Sequence, residues 1–300
     1  MQLSIEDVHL FYKLNPALLF YVNKKLNVLA DNFQNPEELR RSGMEKVGKV
    51  RDKLLENIRL IDDFVKENPF EFSHEELDII SSWKHHTKGR FFILKYLKNY
   101  AVFLDTKEPA KAYGVKALVD SFEDIMEEDS LPAMVDAVLL PFKQGIIYDG
   151  FLACNNNIYF GAGIRSDLNE EFKIAKVRFG IIESLPYDGN RAKTEDNAEK
   201  LKRYLKTETS RQYFSKEIYD LTGKNRELEI IYHQEMGKIY SRSYKKDLRG
   251  VGIGSGWFGI LQGVLIAGNN TKEGLDDVIE KIVPPNKQNL VFRFQLKNKN

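Results

Sequence analysis

Residues 250–270 read GVGIGSGWFGILQGVLIAGNN, and what this stretch is decides what the chain can be. Seven of the 20 glycines lie between Gly250 and Gly268, and no charged residue interrupts them. Three readings compete: a phosphate cradle, a membrane span, and a backbone laid bare because something must come very close to it.

Residues 254–259, GSGWFG, fit G-x-G-x-x-G, where glycine lets the backbone approach a pyrophosphate and the next helix aims its N–H groups at the charge. That site needs a strand before it, which RGVGI could form, and a helix after it, which WFGILQGVLIA could form. It also needs a second strand and an acidic residue about twenty positions on. Here the match fails. NNTKEGLDDVIEKIV reads as a capped helix carrying Asp276 and Asp277, and the 41 residues after Gly259 are too few to finish a doubly wound sheet. A membrane span takes about twenty mostly apolar residues. Lys245, Lys246 and Arg249 would give it a positive flank, but the glycines, Ser255 and Gln262 dilute the hydrophobicity.

The third reading has the firmest basis. Gly250, Gly252, Gly254 and Gly256 recur at period two, so an extended chain would present one face without side chains. Gly252 and Gly256, like Gly259 and Gly263, are four apart and would make a flat seam on a helix. Each glycine gives up about 0.5–1 kcal/mol relative to alanine in a regular element, so the cluster implies a compensating contact. Tight packing against the chain's own aromatic β-layer is expected, with a partner's chain or ring on the same groove as the alternative.

Toward the carboxyl end, NLVFRFQLK alternates Phe292, Phe294 and Leu296 with Arg293, Gln295 and Lys297, a half-buried strand. Toward the amino end the helical period covers 226–245, 211–222, 194–208 and 167–181, with SLPYDGN as a loop. Before that the period is that of strands: 90–97, 100–106, 111–117, then MVDAVLLPF, GIIYDGFLAC and IYFGAGI. Gly150 reads as a bulge within one long strand rather than a hairpin turn. Six antiparallel strands in about 75 residues predict a strongly curved sheet or small barrel. The first third is helical: Ser4 and Asp7 resemble a capping box, Asn15-Pro16 and Asn35-Pro36 place proline at a first helical position, the run 36–66 has helical spacing, and Ser73 opens another helix. The expected class is α+β, in three regions: helical 1–87, antiparallel β 88–164, and basic helical 165–300 closed by a final strand.

The 300 residues are 42% hydrophobic and 30% charged, the balance of a globular chain rather than a disordered one. The net charge of +1 hides an asymmetry. Residues 1–190 carry 24 Lys+Arg against 30 Asp+Glu, a net of −6; residues 191–300 carry 21 against 14, a net of +7. One cysteine, Cys154, rules out an internal disulfide and a cysteine-based zinc cluster. MQLSIEDVHLFYKLNP lacks the marks of a signal peptide, so a reducing, cytoplasmic setting is expected, and the richness in Lys, Asn and Ile suggests a microbial chain.

Catalytic constellations are scarce. His85 and His86 are adjacent, which on a helix points them apart; Glu229 and His233 are four apart and read as a hydrogen-bonded pair. Asp149 followed by Glu171 and Lys173 resembles the D…E-x-K spacing of metal-dependent nucleases, in which two carboxylates hold Mg²⁺ and the lysine stabilises the activated water. Those enzymes carry E-x-K on a strand, whereas NEEFKIAKVRFG reads as a helix. Asp136 and Asp149 interrupt the two most apolar strands and are expected to face water. The remaining signal is basic: Lys200, Lys202, Arg203 and Lys206 on one helix, and Arg242, Lys245, Lys246 and Arg249 on another, with Tyr240 and Tyr244 between them. Cations track phosphates and tyrosines stack on bases. The reading is a non-catalytic cytoplasmic binding protein without metal or cofactor, whose partner is another protein or a nucleic acid held by the basic helices. The alternative is a nuclease-like enzyme around Asp149, Glu171 and Lys173.

Overall fold

The computed structural model describes residues 2–154, 160–187, 189 and 196–298, which fall into two compact units, Met1–Asn190 and Arg191–Asn300. The class is α+β, with helices at both ends of the chain, a central sheet and a last strand near the carboxyl end.

The first unit opens with α1 (Ile5–Leu26), where the Ser4 side chain accepts from the Asp7 N–H. Asn15-Pro16 does not begin a helix as expected; α1 runs through Pro16. Proline there removes one helical hydrogen bond. The buried Phe11, Leu14, Leu18 and Leu19 on either side hold the helix in place, each such burial contributing about 1.5–3 kcal/mol. The expected run 36–66 is three helices, α2 (Pro36–Arg41), α3 (Met44–Glu56) and α4 (Leu60–Glu67). Gly43, at φ 103°, and Asn57 interrupt it. The Ser73–Glu76 capping box starts α5 (His74–Ser82).

Next come β1 (Thr87–Tyr96), β2 (Ala101–Asp105), β3 (Ala112–Lys116), the short α6 (Phe122–Ile125), β4 (Ala133–Phe142), β5 (Gly145–Cys154), α7 (Ala162–Phe179) and β6 (Ile181–Ile182). Pairing runs β2-β1-β4-β5-β3-β6, and β2 also pairs with β3, so five strands close a ring. The sheet is mixed rather than antiparallel throughout, because β3 runs parallel to both β5 and β6. Of the expected strand IYFGAGI, residues 158 and 159 lie outside the described residues, while Ala162 to Ile164 open α7 after Gly161. Leu168, Phe172 and Ala175, at helical spacing, bury that helix.

The two faces of the strands go to different partners. Phe91, Ile93, Phe103, Tyr113 and Val115 join α1, α3, α4 and α5 in the main core. Val102, Leu104 and Ala112 on the opposite face pack with Leu168, Phe172 and Ala175 of α7. Regions 1–87 and 88–164 therefore share one core, and α7 belongs with them.

The second unit holds α8 (Asn197–Tyr204), α9 (Glu208–Tyr213), α10 (Ser215–Lys224), α11 (Arg226–Gly250), β7 (Gly256–Leu261), β8 (Val264–Asn269), α12 (Lys272–Ile282) and β9 (Phe292–Leu296). The strands form an antiparallel sheet in the order β8-β7-β9, so β8 and β9 are parallel to each other and α12 carries the chain between them. Leu248 of α11 packs with Phe258, Ile260, Phe294 and Leu296 on one face. Leu275 and Ile279 of α12 pack with Val291, Trp257 and Leu261 on the other.

The glycine-rich stretch is thus neither a helix nor a smooth extended face. Gly250 ends α11, Gly252 turns the chain at φ 89°, residues 253–255 are irregular, and Gly256–Leu261 with Val264–Asn269 form a β-hairpin. Its two-residue turn, Gln262 at φ 51° and Gly263 at φ 87°, needs left-handed backbone at both positions, as tight hairpins do. The expected close approaches vary along the segment. A side chain at Gly250 or Gly252 would meet nothing within 4 Å, but a Cβ at Gly254 would lie 2.5 Å from Asn298 Oδ1. At Gly256 it would lie 3.2 Å from the Asn269 carbonyl oxygen, at Gly259 3.2 Å from Val291, and at Gly263 3.4 Å from the Tyr240 ring.

Candidate nucleic-acid interface

Helix α11 is capped by Asn225, whose side chain accepts from the N–H groups of Glu227 and Leu228, and it runs 25 residues. Met236, Gly237, Ser241 and Leu248 are its buried residues in the half nearer the sheet. Gly237 lies so close to Phe292 that a Cβ there would overlap the ring. Tyr244 donates from its hydroxyl to the Gly263 carbonyl at 2.8 Å and accepts from the Leu265 N–H at 3.3 Å. This hydroxyl pins the hairpin turn to α11, and the Tyr240 ring packs on the same turn. Tyr244 is therefore engaged as a hairpin support, while the Tyr240 ring, beside the same turn, stays exposed.

At 100° per residue, Arg242, Lys245, Lys246 and Arg249 fall within about 100° of arc, its centre facing away from Gly237 and Tyr244, with Leu248 at its edge beside Lys245. Arg242, Lys246 and Arg249 are exposed. Lys245 lies along the sheet with its ammonium 5.5 Å from the Phe294 ring centre, and Arg249 donates to the Lys297 carbonyl at 3.2 Å. Among the described residues none of the four makes an ion pair with a carboxylate; Asp247, the acid nearest in sequence, accepts from Ser243 instead. The negative carboxyl end of a helix favours cations within its last turn, which accounts for Arg249 but not for Arg242 two turns earlier. The structure thus gathers these four residues on one face.

The α8 group is not gathered in the same way. Leu201 and Tyr204 are buried, and the Tyr204 ring stacks on Phe214 at 4.1 Å. Lys200 and Arg203 approach that ring at 5.8 and 5.7 Å, while Lys202 and Lys206 point to solvent. Lys200 and Arg203 lie on one side of the helix and Lys202 on the other, while Lys206, expected on the same helix, falls in the turn after its end at Tyr204.

The acidic candidates are not brought together either. Asp149 is buried, contrary to the water-facing expectation, and accepts from Arg51 of α3 at 2.8 Å. The bulge explains this: Ala137 pairs with Leu152 and Leu139 with Tyr148, so residues 149–151 oppose Val138 alone, and Gly150 at φ 90° turns the carboxylate to the helices. Burial pushes the Asp149 carboxyl above its ordinary value against the pull of Arg51. Asp136 does face water and pairs with Arg90 at 3.2 Å. Glu171 and Lys173 sit on α7, which covers the other face of the strands. Burial, then Glu108 and Asp105, raise the Glu171 carboxyl, and Lys173 is a neighbour of Lys95. Among the described residues no three His, Cys, Asp or Glu side chains are grouped as metal ligands. Glu229 pairs with Arg226 at 2.5 Å, and burial lowers the His233 imidazole below its ordinary value. No described helix is long and apolar enough to cross a membrane.

Sequence reasoning missed Arg51 and Gly237. Arg51 stands 98 positions from Asp149, so no local spacing could signal it. Gly237 had a local signal, a glycine inside a strong helical period, which marks a close packing partner. Comparison with family models, with curated proteins and with solved structures finds no match, so the functional reading rests on this chain's own residues.

Proposed function

We propose that the second unit binds nucleic acid through its phosphate backbone, using Arg242, Lys245, Lys246 and Arg249 of α11, and that the chain does so in the cytoplasm without catalysing a reaction. One observation carries the reading: four cations on one side of a helix, none with a carboxylate partner among the described residues, in a unit of net charge +7. Unpartnered cations release the counterions condensed on a nucleic acid when they bind it, and that release drives sequence-independent affinity. The stripe from residue 242 to 249 spans about 10 Å of helix, enough to meet more than one phosphate. With Tyr244 engaged on the hairpin turn, phosphate contact rather than base stacking is the basis of recognition, so a duplex and a single strand of equal length should both bind.

Fluorescence anisotropy of a labelled duplex tests this. Lys245→Glu with Lys246→Glu should weaken binding at low salt by at least about tenfold, since two phosphate contacts become repulsions. Unchanged affinity in that double variant would refute the proposal.

A further inference from the structure

The first unit contains a cavity of about 460 Å³ beside the Arg51–Asp149 pair, lined by Met44 and Arg51 of α3, Lys88 and Arg90 of β1, Asp136 of β4 and Phe151 of β5. A second cavity, about 220 Å³, shares Met44 and Phe151 and includes Asp149 in its wall. We propose that the larger cavity binds a small molecule through a phosphate group, gripped by Arg51, Lys88 and Arg90.

The wall carries three cations and one carboxylate. The ion pairs around it are of two kinds. Arg51 Nη1 to Asp149 is short, 2.8 Å, with the carboxylate side chain only 3% exposed. The guanidinium also lies over the Phe151 ring at 4.6 Å. This arginine is fixed in place. The outer pairs are loose: Lys88 to Asp52 at 3.3 Å, and Arg90 to Asp136 at 3.2 and 3.5 Å, between side chains about half exposed. Charge-assisted bonds of full strength are about 2.7–2.9 Å long, so these two cations can turn to a better acceptor with little loss.

Arg51 also keeps one donor unbonded. Its Nε is buried and makes no hydrogen bond; Asp52 Oδ1 stands 3.1 Å away, near enough for attraction but out of line for donation. A buried ion pair seldom stabilises a fold better than apolar side chains of the same volume. Its use here is positional: the Gly150 bulge aims Asp149 at Arg51, and Asp149 holds the planar donor fork at the cavity wall. Bulges that re-aim a side chain occur beside binding sites.

Phosphate suits this arrangement better than a carboxylate does. A phosphomonoester carries up to two negative charges and three acceptor oxygens, which three cations lining one cavity can serve together. The remaining wall includes Ala137 and Ala153, which leave room for the body of the molecule, and the volume lies within the roughly 300–1,000 Å³ of small-molecule sites.

Isothermal titration with phenyl phosphate tests the site on the full chain. The wild type should bind one equivalent. Lys88→Ala with Arg90→Ala, two half-exposed positions whose replacement leaves the core intact, should raise Kd by at least about tenfold while the melting temperature holds, as expected for loss of charge-assisted hydrogen bonds. Lys53→Ala, an exposed cation of the same unit paired with Glu56, serves as control and should leave Kd unchanged. Absence of saturable binding, an unchanged Kd in the double variant, or an equal loss in the control would each overturn the proposal.

Discussion

In the first unit, cations find carboxylates across the fold. Lys13 meets Glu76, Lys25 meets Glu67, Lys46 meets Asp31, Lys84 meets Asp62, and Lys143 meets Asp7. In the second, the exposed side of α11 carries Arg242, Lys245, Lys246 and Arg249 with no such partner among the described residues. The boundary between the units falls where the summed charge changes sign, from −6 over residues 1–190 to +7 over residues 191–300. Exposed pairs add little stability, typically under about 1 kcal/mol, so neither arrangement is a device for holding the fold together. What differs is what is left over. These first-unit cations are paired with carboxylates, as are the three lining its cavity, though the outer two only loosely, whereas α11 of the second unit carries four cations with no carboxylate partner among the described residues.

The comparison breaks first at Asp149. If the first unit's inner ion pair is as desolvated as its geometry implies, Asp149→Ala leaves Arg51 only the half-exposed Asp52 and should cost up to about 3–5 kcal/mol in urea denaturation. Lys238→Ala, which breaks the exposed pair with Glu235, should cost less than about 1 kcal/mol. Equal, small losses in both would mean that the two pairs are solvated alike. Next in size is Gly237→Ala, where the methyl group would overlap Phe292; overpacking of this kind costs about 1–3 kcal/mol, and it should lower the stability of the second unit without touching the first. Tyr244→Phe comes next. Losing the hydroxyl that serves Gly263 and Leu265 should cost about 1 kcal/mol and speed amide exchange in the hairpin.

The smallest effect is a pH dependence that each unit should show. Burial lowers the imidazoles of His86 and of His233 below the ordinary value of 6.5. A histidine depressed in the folded state binds its proton more readily when unfolded. The stability it contributes is therefore complete above pH 6.5 and is lost as the pH falls from there toward its folded value. Denaturation midpoints should decline over that window, and His86→Gln or His233→Gln should each flatten the decline.

Much of the architecture was legible. Period and capping gave the helical amino end, the strand-rich middle, the Gly150 bulge and the terminal strand. Misreadings arose where tertiary packing overrode local signals. Pro16 sits inside a helix because apolar neighbours on both sides are buried, and Gly43 splits a run whose spacing alone looked continuous. The hairpin at Gln262-Gly263 was open to reading as two short apolar runs around an x-Gly turn; the G-x-G-x-x-G match at 254–259 drew attention from it. The candidate site was legible only in part. The stripe on α11 follows from helical spacing, but the dispersal of the α8 cations around Tyr204 depends on which residues are buried. The separation of Asp149 from Glu171 and Lys173 depends on which face of the strands each helix covers. No pattern within a few residues encodes either.

The central claim is that α11 presents cations to phosphates. Its most direct test is the slope of log K against log salt for the full chain on a labelled duplex. Four phosphate contacts predict a slope of about −3 to −4, and replacing Arg242, Lys245, Lys246 and Arg249 together with glutamate should remove both the binding and the salt dependence. The same affinity and slope in the fourfold variant, or no binding by the wild type at low salt, would contradict the account.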